Sequence, residues 1–293
     1  MARQNLGMTI IRCAVTRVFT NRGKNGNPLG VVTDTAGLSA GQMQSIAHTL
    51  GYSETSFVFF DAKGGDYRVR FFTPDKEIPF AGHPALGTLF VLRSLRLVPK
   101  KTAYIQIIGR RKVLLEIMPD GLIRMEQGKP AFMPGTTRAL AAELVGAAEN
   151  EVIGDPLTVS TGLPHLIIPL KGAARIREAR ILNAVYQHVR KKTGASCVMP
   201  FTIDKGKIHC RMFAPALGIA EDPATGSGCG PLAAYLVRQK LVAASGETAT
   251  LEILQGGAKK SLLAVWVRRT RDGIASVAVG GYCVMCKPRT VRL

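Results

Sequence analysis

The sequence predicts an α+β protein of two pseudo-symmetric lobes, each a mostly antiparallel, barrel-like sheet wrapped around a central apolar helix, with an active-site cleft between the lobes. Three observations predict it. One short pattern occurs twice, as YRVRFFTPDKEIPFAGHPALGTLFVL from Tyr67 to Leu92 and as IHCRMFAPALGIAEDPATGSGCGPLAAYLV from Ile208 to Val237. Arg70, Phe72 and Pro74 match Arg211, Phe213 and Pro215 at an offset of 141 (211 − 70), and Pro84 and Gly87 match Pro223 and Gly226 at 139 (223 − 84). The helical segments Ala85–Leu92 and Leu232–Val237 carry no polar stripe, and a helix apolar all round has to be enclosed on every side. The segments around them are short, alternating or β-branched, and punctuated by Gly, Pro and Asn, which reads as mostly antiparallel strands.

In order, Met8–Phe19 reads as a first strand leading into the turn Asn25-Gly26-Asn27-Pro28. Leu38–Leu50 reads as a helix, because Ser39 suits an N-cap and Met43, Ile46, Ala47 and Leu50 share one face. Thr55–Phe60 and Asp66–Phe72 read as strands joined through Gly64-Gly65, followed by a helix from Pro84 to Leu97. Strands follow near Ala103–Ile108, Lys112–Met118 and Leu122–Gln127. Pro130 and Pro134 then interrupt the pattern, so the lobes divide as 1–130 and 131–293, the last strands having the option of returning to the first lobe. The second series has a helix near Thr137–Gly146, strands near Leu157–Thr161 and His165–Leu170, and a helix near Ala174–Arg190. Strands Ser196–Phe201 and Lys207–Phe213, a helix Gly226–Leu241 and four shorter strands complete it.

At 293 residues, with 46% hydrophobic and 20% charged residues, the composition is that of a soluble globular protein. No apolar run reaches membrane-spanning length. The first 33 residues hold Arg3, Arg12, Arg17, Arg22 and Lys24 and no acid, as presequences do, but the strand pattern of Met8–Phe19 favours a cytoplasmic protein. Six cysteines in a chain of this size are no disulfide framework. Cys283 and Cys286 lie three apart on a strand-like stretch and point to opposite faces, so they read as ordinary buried thiols. The net charge of +19 is spread over doublets such as Arg110-Arg111, Lys191-Lys192 and Arg268-Arg269. With 6% aromatic residues and no helix-turn-helix, finger or RNP pattern, the charge reads as a solvated surface that draws anions inward, not as a nucleic-acid interface.

Candidate chemistry collects at the two Gly-rich turns. His83 precedes Pro84 at the start of one apolar helix, and Asp222-Pro223-Ala224-Thr225-Gly226-Ser227-Gly228 leads into the other. The unpaired N–H groups of such helix starts receive carboxylates and other anions. Neither turn is a nucleotide loop: the Walker Gly-Lys-Ser/Thr is missing and Pro231 breaks a dinucleotide-binding spacing. His83 has no second metal ligand at helical spacing. Glu54, at the mouth of an apolar strand, is partly desolvated, which raises a carboxyl pKa toward proton-transfer range. Taken singly, Glu54 reads as a solvated loop residue, His83 as a helix-cap histidine and Asp222 as an N-terminal helix stabiliser. The duplication, which sets His83 and Asp222 at equivalent, facing positions, lifts them together.

The motifs Gly26-Asn27-Pro28, Ser53-Glu54-Thr55, Arg70-Phe71-Phe72-Thr73-Pro74, Gly82-His83-Pro84-Ala85-Leu86-Gly87 and Glu221-Asp222-Pro223-Ala224-Thr225-Gly226-Ser227 stand in the order seen in one family. The chain resembles the phenazine-biosynthesis PhzF-like family, of diaminopimelate-epimerase-like fold, over residues 10 to 240. The resemblance implies a cofactor-free isomerase that shifts a proton in a small, cyclic, carboxylate-bearing metabolite, acting as a homodimer with no metal. It places the acid/base glutamate at Glu54, with His83 and Asp222 as catalytic partners and Asn27, Gly82, Gly226 and Ser227 binding the substrate. Two departures stand out. There is no cysteine near His83 and only Cys229 near Asp222, so abstraction by two facing thiols is not expected; packing is the reading favoured for Cys229 itself. The Gly-Arg-Pro-Ser that usually follows Gln-Gly is replaced by Gly257-Ala258-Lys259-Lys260-Ser261 after Gln255-Gly256. The competing reading is a catalytically inactive member of the fold that binds a small ligand or a protein.

Overall fold

A computed structural model describes residues 10–243 and 246–293; Arg3 and the first two residues of the expected opening strand lie outside them. The first strand, β1, is Ile10–Val18, followed by β2 (Asn27–Val32) and helix α1 (Ala40–Leu50). Ser39 caps α1 as expected: its hydroxyl accepts from the Gln42 N–H and the Gln42 side chain accepts from the Ser39 N–H. Next come β3 (Glu54–Phe59), β4 (Tyr67–Phe72), β5 (Glu77–Ile78), α2 (Gly82–Ser94), β6 (Ala103–Ile108), β7 (Arg111–Ile117) and β8 (Ile123–Gly128). The remainder runs β9 (Ala131–Met133), α3 (Arg138–Val145), β10 (Leu157–Ser160), β11 (Pro164–Pro169), α4 (Gly172–Glu178) and α5 (Asn183–Thr193). It closes with β12 (Cys197–Asp204), β13 (Lys207–Cys210), β14 (Met212–Ala214), β15 (Ile219–Asp222), α6 (Gly226–Arg238), β16 (Thr248–Gln255), β17 (Ser261–Thr270), β18 (Gly273–Gly281) and β19 (Cys283–Arg292). The protein is thus mixed α+β, dominated by strands, with six α-helices among the described residues.

Two compact units are present. Among the described residues, one comprises 10–18, Pro28–Ile123 and Cys283–Leu293; the other comprises Phe19–Asn27 and Arg124–Tyr282. In the first, β3 pairs in parallel with β2 and antiparallel with β4, β4 pairs in parallel with β6, and β1 pairs antiparallel with β19. The α1 face of Met43, Ile46, Ala47 and Leu50 packs on Cys13, Val32, Phe57, Phe72 and Val291. Helix α2 is buried from His83 to Leu92 except at Phe90, against β1, β3 and β19. Enclosing Leu86, Leu89 and Leu92 stabilises by ~1.5–3 kcal/mol each. Gly87 makes that fit possible, because a Cβ there would come within 2.6 Å of Leu29 and 2.7 Å of Val18.

In the second unit β11 and β12 run parallel, as do β13 and β16, and β16, β17 and β18 form an antiparallel run. Helix α6 is buried almost throughout, against β10, β11, β16, β17 and β18. A separate apolar cluster joins α3 and α5 to β11 and β12 through Leu144, Ile168, Tyr186 and Val198.

The duplication is more exact in three dimensions than in the sequence match, and its register differs from the expected one. Arg70 forks onto Glu77 with contacts of 2.7 and 2.6 Å, and Arg211 forks onto Glu221 at 2.8 and 2.6 Å. Each guanidinium also lies over a ring, Phe72 and Phe213 respectively. The helices open at Gly82 and Gly226, an offset of 144 (226 − 82), and each runs 13 residues. Both end alike: Arg96 and Lys240 take φ of 56°, and the Leu97 and Leu241 N–H groups reach back to the Leu92 and Leu236 carbonyls. This six-to-one closure stops the helices at Ser94 and Arg238, three residues short of the expected ends. The short helical turn Pro215–Leu217 in the second copy accounts for the shift from 141 to 144. His83 is therefore the counterpart of Ser227, and Asp222 of Ile78; the match of Pro84 to Pro223 is not a structural one.

Four further expectations are corrected. The helix expected near Ala174–Arg190 is two helices, because Arg211 donates to the Ile176, Arg177 and Ala179 carbonyls and ends α4 there. The strand expected over Lys207–Phe213 is split at that same Arg211 into β13 and β14. The four final strands run 8 to 10 residues and are not short. Cys283 and Cys286 are half-buried rather than buried, near the exposed face of β19; all six cysteines remain thiols.

Candidate active site

Glu54 opens β3 directly after the left-handed Gly51 cap of α1, opposite Leu29 of β2. His83 is the second residue of α2, whose start carries no side-chain cap. The two meet inside the first unit: Glu54 Oε2 lies 3.5 Å from His83 Nε2, with only 17% and 6% of the side chains exposed. Burial pushes the Glu54 carboxyl above its ordinary range, and the Ser53 side chain opposes this by hydrogen bonding to it. A carboxyl so tuned exchanges a proton nearer neutral pH than an exposed one, and an imidazole beside it suits the same trade. The Glu54–His83 separation is long for a hydrogen bond and leaves an imidazole and a carboxyl side by side rather than locked together.

Asp222 ends β15 in the second unit, and both of its carboxylate oxygens accept. Asn27 donates to Oδ1 at 2.8 Å, and the Thr225 hydroxyl donates to Oδ2. Asn27 also holds the Ala224 carbonyl at 3.1 Å, so this buried amide is tied to the approach of α6; the turn expected at Asn25-Gly26-Asn27-Pro28 lies earlier, between Asn21 and Lys24, and Asn27 and Pro28 already open β2. Gly226 and Ser227 are the first two residues of α6. Gly226 is required by packing alone, since a Cβ would meet Val279 at 2.9 Å and Phe19 at 3.3 Å. Gly82 holds the corresponding first position of α2. Among the described residues no group of acidic, His or Cys side chains has the arrangement of a metal site. The hollows around α3 and α4, bordered by Asn150, Glu151, Lys171 and Arg175, include none of the candidate side chains.

Sequence reasoning overlooked Thr225 and Gln255, which complete the Asp222 network. Gln255 is 30 residues away in the chain, and only the register of β16 beside β13 brings it there. The Cys229 thiol, which a first-turn position would allow to be acidic, is instead pushed well up by burial, with Cys210 and Asp222 adding to it; packing is its role.

His165 of β11 is also buried beside the start of α6, where a Cβ on Gly228 would come 3.2 Å from its Nε2. Its Nδ1–H donates to the Leu163 carbonyl at 2.8 Å. Burial lowers its pKa from 6.5 to about 4, so the folded state prefers the neutral ring. The unfolded chain binds the proton first, and stability present in full above pH 6.5 is lost as pH falls toward 4. The expected loss is up to ~3 kcal/mol, read from urea unfolding at pH 7 and pH 4.5, with a flatter profile in His165→Met.

The profile of the family described as phenazine biosynthesis-like protein, PhzC-PhzF, matches residues 16–288. The chain belongs to this family. Over 271 residues it is 35% identical to the uncharacterized isomerase YddE of Escherichia coli strain K12, covering 89% of this chain and 87% of that protein. It is 33% identical over 256 residues to the trans-2,3-dihydro-3-hydroxyanthranilate isomerase of Pseudomonas aeruginosa, covering 84% and 85%. The crystal structure of the PhzF-family phenazine biosynthesis protein of Bacillus anthracis superposes with a TM-score of 0.87 at 28% identity, covering 97% and 99%. This PhzF-family chain is an isomerase in class, as the Escherichia coli and Pseudomonas aeruginosa relatives are named. None of its described helices is long and apolar enough to cross a membrane.

Proposed function

We propose that this PhzF-family protein moves a proton between two carbons of a small cyclic carboxylate, with Glu54 as the carrier. The observation that carries the reading is the buried Glu54–His83 contact, a carboxyl with its pKa raised beside an imidazole at the open end of an apolar helix. The carboxylate form of Glu54 takes a proton from a carbon acidified by the neighbouring π-system. The substrate becomes an anion, and the Glu54 carboxylic acid returns the proton to a second carbon, leaving the carboxylate as it began. His83 and the N–H groups at the start of α2 steady the negative charge while it exists.

Asp222, Asn27, Gly226 and Ser227 hold the substrate, Gly82 lets it approach the backbone, and no cofactor takes part. A homodimer is the proposed working form. The substrate class follows the Pseudomonas relative, whose name is trans-2,3-dihydro-3-hydroxyanthranilate isomerase.

The test is incubation with that compound, and with related cyclic amino- and hydroxy-carboxylates, in heavy water. Proton NMR and mass spectrometry are expected to show deuterium at a single ring carbon together with the double-bond shift. Absence of both with every compound would favour a ligand-binding member of the family and defeat the reading.

A further inference from the structure

We propose that Gln255 is a positioning residue that turns the Thr225 hydroxyl onto Asp222 and thereby keeps the start of α6 open to an anionic ligand. The proposal deepens the reading of Asp222 and the α6 start as part of the site, and rests on it.

The Gln255 side chain is fully buried at the end of β16, opposite Cys210 of β13 and Ser261 of β17. Its amide orientation is fixed by its partners, not by choice. The Thr225 N–H is a donor only, so the atom 2.9 Å from it is Oε1; the Asp222 main-chain carbonyl is an acceptor only, so the atom 2.8 Å from it is Nε2. Nε2 therefore also donates to Thr225 Oγ1, at 2.9 Å, while Oε1 takes the Cys229 thiol at 3.4 Å. With a hydroxyl lone pair engaged by Nε2–H, the Thr225 proton is aimed at Asp222 Oδ2.

This direction has a consequence for α6. Thr225 is its N-cap residue, and a threonine there ordinarily turns its oxygen inward to accept a first-turn N–H. Thr225 makes no such bond; its hydroxyl faces Asp222 instead. The alternative is one χ1 rotation away, and it would both release Asp222 Oδ2 and cover the first-turn N–H groups. Gln255 is the group that biases the choice. A buried amide that makes four such contacts with Asp222, Thr225 and Cys229, from the end of β15 to the first turn of α6, is more than packing requires, and an apolar side chain of the same length would pack as well.

Gln255→Met keeps length and volume but removes every one of these bonds. Amide hydrogen exchange is expected to accelerate at least tenfold at Thr225, whose acceptor is lost, while Leu232–Leu236 in the middle of α6 stay protected. With the wild-type substrate, kcat is expected to fall about 10- to 100-fold through misplacement of Asp222. In Gln255→Met/Thr225→Val the loss should be no greater than in the worse single variant, because both residues act through one chain of bonds. If Gln255→Met does not fold, Gln255→Glu retains an acceptor for the Thr225 N–H; Thr225 protection should then persist while kcat still falls. Unchanged exchange at Thr225 in Gln255→Met, or losses that multiply in the double variant, would overturn the proposal. Failure of the wild type to turn over any compound would count against the isomerase reading alone, since the exchange measurement needs no substrate.

Discussion

Glu54→Gln should lower turnover roughly 100- to 10,000-fold while leaving the fold intact, because it removes the proton carrier and keeps the shape. Glutamine is isosteric with the protonated form, so the 3.5 Å approach to His83 is preserved. Stability at neutral pH should not fall. A carboxyl whose folded pKa is raised is held less well by the folded than by the unfolded chain above its ordinary range, and the substitution removes that penalty. In the wild type, kcat/KM should decline as pH drops through a value above the usual carboxylate range, since the base form starts the reaction; the variant should lose this acidic limb. Circular dichroism, urea unfolding and pH–rate profiles of the two proteins check all three outcomes.

Arg211→Met should cost ~3–5 kcal/mol of stability, whereas Arg70→Met should cost no more than about 1 kcal/mol. The two arginines are copies of one feature, and their sequence surroundings do not distinguish them. Their environments do. The Arg211 side chain is 13% exposed and serves Glu221, three carbonyls at the end of α4 and the face of Phe213 at once. Removing it leaves those carbonyls and a half-buried carboxylate without their donor. The Arg70 side chain is 28% exposed, its partner Glu77 is 44% exposed, and water can replace much of what is lost. Urea unfolding of both variants measures the difference directly; equal, small losses would show that the α4 carbonyls find other donors.

What the sequence disclosed and what it withheld divide along physical lines. Local signals were legible: the Ser39 N-cap, the shared face of Met43, Ile46, Ala47 and Leu50, and the absence of a polar stripe on α2 and α6 each depend on residues within one or two turns. Glu54 was legible only in part: its place at the mouth of the strand ETSFVF pointed to partial desolvation, but taken singly it read as a solvated loop residue, whereas the structure makes it the first residue of β3 and largely buries it. Non-local partners were not. The ending of α4 at Ala179 depends on an arginine more than thirty residues later, and the segment contains no Gly or Pro to announce it. Gln255 and Thr225 were visible as letters but gain meaning only from the pairing of β13 with β16.

The internal match teaches the same lesson. Prolines and glycines aligned His83 with Asp222 because those letters are conspicuous, but the structure aligns the helices by their starts and their closures. The structural equivalence, His83 with Ser227, replaces that match and pairs an imidazole with a hydroxyl at the second position of each helix. Both copies present a polar side chain beside the open first turn, which is what an anion receptor needs. Asp222 has no acidic counterpart in the first copy, where Ile78 stands, and it is tethered by Asn27, Thr225 and the β16 glutamine.

The central claim is that one carboxyl carries the proton. Deuterium wash-in from heavy water, followed side by side for the wild type and Glu54→Gln on the same substrate, tests it most directly. The account predicts label at the receiving ring carbon in the wild type and none above background in the variant over the same interval. A folded Glu54→Gln protein that introduces deuterium at the wild-type rate would contradict it.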